Sequence, residues 1–309
     1  MVSAAEQLKS ACASGRAMHG CLVTSADPEA ASKLVSECAS LLLFGNENTD
    51  ALKLSADYFD LDGSVKIDEL RFVRQELYKQ TFGGKNRVVV IRNAHFLNDN
   101  AINAMLKMLE EPPAGTYFFL TGIEQRILPT VRSRCLTVRL GTTPLHTVRD
   151  ELSAIGASRD EAALYAAMGM GIASRSVKLY TDTSFRALRT NAINALIDML
   201  AGKLPFNWAK SIGKDRGAAR ECVEFMLGVC HDLLMLVGGG QVDINLDVKD
   251  RLTNIAAGFT TNRISGIINK LVDAAMRLNT NASSNLTLDG LIVEITEARK
   301  WQTHLRESQ

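Results

Sequence analysis

The stretch "NDNAINAMLKMLEEPPAGTYFFLTG", residues 98–122, carries a helix, its end and a strand in one run. Ile102, Met105, Leu106 and Leu109 recur at helical spacing, which gives the segment one apolar face. Asn98 or Asp99 is placed to cap the first N–H groups, and Pro112-Pro113 cannot continue the helix. Just beyond the prolines, "YFFLT" at 117–121 is short and rich in β-formers, so it reads as a strand.

The same alternation extends in both directions. Strand-like runs stand at "CLVT" 21–24, "YFDL" 58–61, "VVVI" 88–91 and "LTVRL" 136–140, and between two of them Ile67, Leu70, Val73 and Leu77 mark another amphipathic helix. Short strands separated by helices predict an α/β domain, a mostly parallel sheet with helices on both faces. Past "GTTP" at 141–144 the strand signal stops. The remainder of the chain reads as helices separated by Gly- and Asn-containing breaks such as "LVGGGQVDIN" and "LNTNASSNLTLDG". The expected division is an α/β domain over 1–142, a small helical domain over 143–182 and a larger helical bundle over 183–309.

The chain has 309 residues, 46% apolar and 22% charged, enough to bury more than one core. Its net charge is +1, with 16 Lys/Arg against 16 Asp/Glu in residues 1–142 and 19 against 18 in the remainder, so neither part is a basic nucleic-acid-binding block. Cys12, Cys21, Cys38, Cys135, Cys222 and Cys230 form no C-x-x-C pair and read as reduced, buried thiols. Lys9 and Arg16 interrupt the N-terminal segment, which therefore lacks the apolar core of a secretory signal. The most apolar span, from Phe225, is broken by His231 and Asp232. A cytoplasmic location is expected.

In an α/β domain the first strand-to-helix turn is where helix N-terminal amides and a glycine-rich loop wrap nucleotide phosphates. Here that turn is "LVTSADPEAASKL", 22–34, with no glycine. Ser25 and Asp27 stand in the turn, Asp27 and Glu29 bring negative charge, and Lys33 is the one cation, followed by Leu34 rather than a hydroxyl. The strand "VVVI" runs into Arg92-Asn93-Ala94-His95 and so lacks the carboxylate that holds Mg²⁺ in P-loop ATPases. His95 reads as a surface or satisfied side chain. The expectation is a degenerate site that binds neither ATP nor Mg²⁺.

"DGSVKIDELRFVRQEL", the stretch at 98–122 and "LPTVRSRC" at 128–135 stand in the order and spacing of the bacterial clamp-loader AAA+ family, with "SGRAMHGCLVTS" at 14–25 similar to the approach to its first strand. The degenerate phosphate turn and strand end resemble the delta-prime branch of that family rather than the ATP-hydrolysing gamma/tau branch. The resemblance implies an AAA+ domain, a helical lid and a C-terminal collar. It also implies gamma/tau and delta partners in a five-subunit ring that loads a sliding clamp onto primed DNA as part of the DNA polymerase III holoenzyme, a nucleotidyltransferase complex.

Taken alone, Arg134 reads as a surface ion pair. Within the motif Ser133-Arg134-Cys135 it matches the family's arginine finger, which points into the ATP site of a neighbouring subunit; Arg132 is then a second interface residue and Cys135 a packing residue. Many delta-prime relatives carry a cysteine-rich zinc module where "CASLLLFGNENTDALKL" has only Cys38, so no zinc is expected. The family's sensor asparagine is absent at Gly122-Ile123, and Arg175 stands where related subunits carry a nucleotide-sensing arginine, with a packing or surface role equally open. Two other functions fit the same motifs: a gamma/tau-like ATPase with an unusual phosphate loop, and an AAA+ adaptor outside replication.

Overall fold

The computed structural model describes residues 3–63, 65–79, 86–280 and 282–306, with side chains up to residue 297. The chain forms two compact units, residues 1–142 and 143–309. In the first, the order is α1 (Ala4–Ala13), β1 (Gly20–Ser25), α2 (Pro28–Phe44), β2 (Tyr58–Asp62), α3 (Ile67–Leu77), β3 (Arg87–Arg92), α4 (Asp99–Glu110), β4 (Thr116–Thr121), α5 (Pro129–Arg132) and β5 (Leu136–Leu140).

The five strands are parallel and stand in the order β2-β3-β4-β1-β5. Side chains alternate between the two faces, as the two-residue period of a strand requires. Val88 and Val90 of β3, Phe119 of β4, and Cys21 and Val23 of β1 pack in the core beneath α1 and α2. Val89, Ile91, Phe118, Leu120 and Leu22 join the core beneath α3 and α4. Both faces are covered, which is why the central strands read as unbroken apolar runs.

Local signals set the helix ends. Asn98 accepts from the Ala101 N–H at 2.9 Å, and α4 stops at Glu110, two residues before Pro112. Gly20 opens β1 where a Cβ would stand 2.9 Å from the Arg134 carbonyl oxygen, so the approach of that turn to the sheet admits no side chain.

The second unit is helical: α6 (Leu145–Ala154), α7 (Arg159–Met168), α8 (Ala173–Thr181), α9 (Thr183–Leu200), α10 (Phe206–Ile212), α11 (Arg216–Val237), α12 (Lys249–Ala256), α13 (Thr261–Leu278) and α14 (Ser284–Arg306). A small core gathers Val148, Leu152, Ala157, Ala162 and Ala166. A larger one is organised around α11, with Cys222, Met226, Val229 and Cys230 against residues of α9, α13 and α14. Among the described residues no helix is long and apolar enough to cross a membrane.

Asp232, which interrupts the most apolar span of the sequence, is fully buried. Its carboxylate accepts from the Asp243, Ile244 and Asn245 backbone N–H groups and from Asn245 Nδ2, at 2.8–3.1 Å. Asn245 in turn accepts from Arg189 Nη2 at 2.7 Å, and Arg189 forms a two-point pair with Asp247. The loop after α11 is thereby tied to α11 and α9 by satisfied polar groups. Asp232→Ala strips three backbone donors of their acceptor, and urea denaturation should show a loss of about 2–4 kcal/mol. A change below about 0.5 kcal/mol, the usual range for surface substitutions, would show that the loop is held by packing instead.

Candidate functional site

Parallel strands put all strand ends on one edge of the sheet and all strand starts on the other, and the two edges carry different chemistry. At the edge of the strand ends, β1 leads into the phosphate turn. Asp27 is the N-cap of α2: its Oδ1 accepts from the Glu29 N–H at 3.0 Å and the Ala30 N–H at 3.2 Å. Pro28 has no N–H to offer, and the Ala31 N–H is bonded to the Asp27 carbonyl at 3.2 Å. The four N-terminal positions of the helix, normally the source of donors for a bound anion, are all accounted for. Asp27 is itself buried and its N–H is held by Ser25 Oγ at 3.0 Å. Ser25 and Asp27 thus close the turn on itself, while Lys33 lies exposed one turn further on.

Beside it, Arg92 ends β3. Its guanidinium makes a two-point pair with Asp60 of β2 at 2.8 and 2.9 Å and donates to Ser36 Oγ of α2 at 3.2 Å. Asn93, in the left-handed conformation with φ 53°, donates from Nδ2 to Asp62 Oδ2 at 3.0 Å. The end of β3 carries no carboxylate, as its sequence reads; the acids beside it come from the neighbouring strand. Alternate positions of β2 place Asp60 and Asp62 at the same edge, where Arg92 and Asn93 engage them. At the end of β4, Ile123 N–H donates to His95 Nδ1 at 3.3 Å. A Cβ on Gly122 would stand 2.8 Å from that nitrogen, so a side chain there is incompatible with this imidazole position.

At the opposite edge, α5 and the turn after it lead into β5. Arg134 N–H bonds the Val131 carbonyl at 3.1 Å and Cys135 N–H the Arg132 carbonyl at 3.2 Å, which winds Arg132, Ser133, Arg134 and Cys135 into one tight turn. The Arg134 guanidinium donates through Nη1 to the Thr130 carbonyl at 2.8 Å and through Nη2 to Glu110 Oε1, at the C-terminal end of α4, at 2.5 Å. Arg132 reaches within 3.8 Å of Glu124, but that carboxylate is already held by Arg139 at 2.5 and 2.6 Å. Arg139 is also the main reason that the Glu124 carboxyl sits below its ordinary range. Arg132 Nε is buried without a hydrogen-bond partner. Cys135 packs against the core under α3 and α4, and burial pushes its thiol up to about 11, which keeps it protonated at neutral pH.

The Leu136↔Cys21 register sets the arginine turn beside the start of β1, whereas the phosphate turn comes after its end. Five residues of strand, about 16 Å at roughly 3.3 Å per residue, separate the two. Arg132, Ser133, Arg134 and Cys135 therefore come together, and they stand away from Ser25, Asp27 and Lys33. The sequence did not single out Glu110, Thr130, Asp60 or Asp62, whose partners lie on other elements. In the second unit Arg175 is buried, donates to Glu221 at 3.1 Å and lies over the Phe225 ring at 5.7 Å, so its guanidinium is engaged in packing. Among the described residues no group of three or more His, Cys, Asp or Glu could hold a metal ion.

Residues 2–144 match the family described as DNA polymerase III, delta subunit. The chain is 27% identical to the DNA polymerase III subunit delta' of Escherichia coli over 223 residues, 69% of this chain and 65% of that one. It is 24% identical to the subunit delta' of Bacillus subtilis over 242 residues, 76% of this chain and 73% of that one. The match therefore spans just under two thirds of the length of the E. coli relative. A DNA polymerase III gamma subunit-related protein from Thermotoga maritima shares the fold, with a TM-score of 0.53 at 16% identity, covering 94% of this chain and 99% of that one. With a parallel five-stranded sheet, a phosphate turn capped by its own aspartate and a Ser-Arg-Cys turn on the opposite edge, the chain resembles the delta' subunits of DNA polymerase III, and its residues 2–144 match that enzyme's delta-subunit family.

Proposed function

We propose that this chain is the delta-prime-like subunit of a clamp loader, that it hydrolyses no ATP itself, and that Arg134 acts in trans on a neighbouring subunit's nucleotide. The observation that carries this reading is the separation of the arginine turn from the chain's own phosphate turn by the length of a strand. A guanidinium at the far edge of the sheet cannot reach phosphates bound at the near edge of the same domain. It can only serve a site that another molecule brings to it. The capped N-terminus of α2 supports the other half: with the first-turn donors used by Asp27 and no glycine to let the loop curl, a triphosphate finds no backbone cradle.

The proposed partners are gamma/tau and delta subunits in a five-membered ring in the cytoplasm. ATP-driven closure of that ring places the sliding clamp on primed DNA. In this assembly the chain needs no ATP, Mg²⁺ or Zn²⁺ of its own. Arg134 would stabilise the charge that develops as the γ-phosphate leaves, by the electrostatic route that fingers use. Arg132, beside it and only loosely paired to Glu124, would face the same interface.

Titration of the isolated chain with a fluorescent ATP analogue and Mg²⁺ should show no saturable binding and no turnover; tight Mg²⁺-dependent binding with hydrolysis would establish the gamma/tau-like reading instead. Arg134→Ala should fold and assemble, yet slow hydrolysis at the one site it serves by at least about 10³-fold, the lower end of finger effects. The clamp- and DNA-stimulated ATPase of the whole loader should then drop, and an unaltered rate with normal clamp loading would remove the finger. Asp27→Ala should lower stability by about 0.5–2 kcal/mol through loss of the cap, without creating nucleotide binding. Copurification with the sliding clamp and the ATPase subunit separates this function from that of an adaptor outside replication.

A further inference from the structure

Glu110 is the last helical residue of α4, with Glu111 and then Pro112-Pro113 after it. Two carboxylates at a helix C-terminus oppose the negative end of the helix dipole, so local helix energetics do not favour an acid at this position. The tertiary contact does account for it. Glu110 Oε1 lies 2.5 Å from Arg134 Nη2, across 24 residues of sequence, while the Thr130 carbonyl accepts from Nη1 at 2.8 Å. We infer that Glu110 is a positioning residue for Arg134, holding the guanidinium in the orientation from which it meets a neighbouring subunit's nucleotide; this rests on the reading of Arg134 as a finger acting in trans.

Three features support positioning over a purely structural role. The pair is exposed, with 35% of the Arg134 side chain and 47% of the Glu110 side chain accessible, and ion pairs of that kind contribute little to folding. Glu110 and the Thr130 carbonyl grip the guanidinium at two different nitrogens, with Ser133 Oγ also accepting from Nη1 at 3.4 Å, which removes the rotational freedom that an arginine otherwise loses on meeting a ligand. Glu110 engages only one of those nitrogens. A guanidinium has five N–H donors, and one acceptor oxygen at one end orients the fork without saturating it. Arg132 has no comparable support: Glu124 is committed to Arg139, and Arg132 Nε has no hydrogen-bond partner. The two arginines of the motif are thus held very differently, and only one is oriented in advance.

The test is a double-mutant cycle in the reconstituted loader, reading clamp- and DNA-stimulated ATPase as kcat and KM separately. Glu110→Ala should slow hydrolysis about tenfold at the one site Arg134 serves, within the roughly 10²-fold that a 1 Å misplacement can cost, lowering the loader's kcat while leaving the KM for ATP and the assembly of the complex unchanged. Glu110→Gln, which keeps an acceptor oxygen at the same reach, should recover more than half of that loss and also serves if the alanine variant assembles poorly. Glu111→Ala should be silent. In an Arg134→Ala background, Glu110→Ala should cost nothing further, since there is no guanidinium left to orient. If Arg134→Ala lowers kcat but Glu110→Ala does not, or if the two losses multiply, the positioning role is overturned while the finger stands. If Arg134→Ala itself has no effect, the functional reading fails first.

Discussion

The first turn of α2 has no donor left to give. Pro28 lacks an N–H, Glu29 and Ala30 donate to the Asp27 carboxylate, and Ala31 donates to the Asp27 carbonyl. A helix N-terminus after the first strand of a parallel sheet is a ready anion site because those groups are normally unsatisfied and the helix dipole favours negative charge. Here a covalently attached carboxylate takes both advantages. An external phosphate would have to displace a buried cap that is itself held by Ser25, and the loop has no glycine to reshape around it.

Topology dictates the rest of the site. A parallel sheet of order β2-β3-β4-β1-β5 sends every strand end to one edge, and the polar groups of that edge are bonded to one another: Asp27 to the N–H groups of α2, Asp60 to Arg92, Asp62 to Asn93, His95 to Ile123. The edge of strand starts instead presents a guanidinium gripped from two sides. The domain has kept the architecture of a nucleotide-binding sheet, while its presented cation stands on the side facing away from where its own nucleotide would bind. In the proposed assembly that division of labour suits a ring of unequal subunits, where each interface takes a pocket from one member and a cation from the next.

Much of this is visible in the residues. The strands announce themselves as apolar runs because both sheet faces are covered, and α4 is legible from Asn98 to the paired prolines because caps and prolines act locally. The register extends β1 to Gly20 and Ser25, since those residues pair with Phe118 and Leu140. Asp27 is visible in the sequence as negative charge, but "D-P-E" before an apolar run is also the pattern of an N-cap with proline at the first helical position, and that pattern carries its actual role. Glu110 and Asp232 were hidden for a different reason. One looks like a surface acid and the other like an interruption in an apolar span, and each acquires meaning from partners that only tertiary structure brings near, 24 and 11–13 residues away.

If Arg134 acts on a nucleotide this chain does not bind, the most direct measurement is a structure of the assembled loader trapped with a transition-state analogue of the γ-phosphate. An Arg134 guanidinium nitrogen should then lie about 3 Å from a phosphoryl oxygen of the nucleotide in the adjacent subunit, with the phosphate turn at Ser25–Lys33 holding none. An Arg134 remote from every phosphoryl group, or a nucleotide seated on this chain's own turn, would contradict that role.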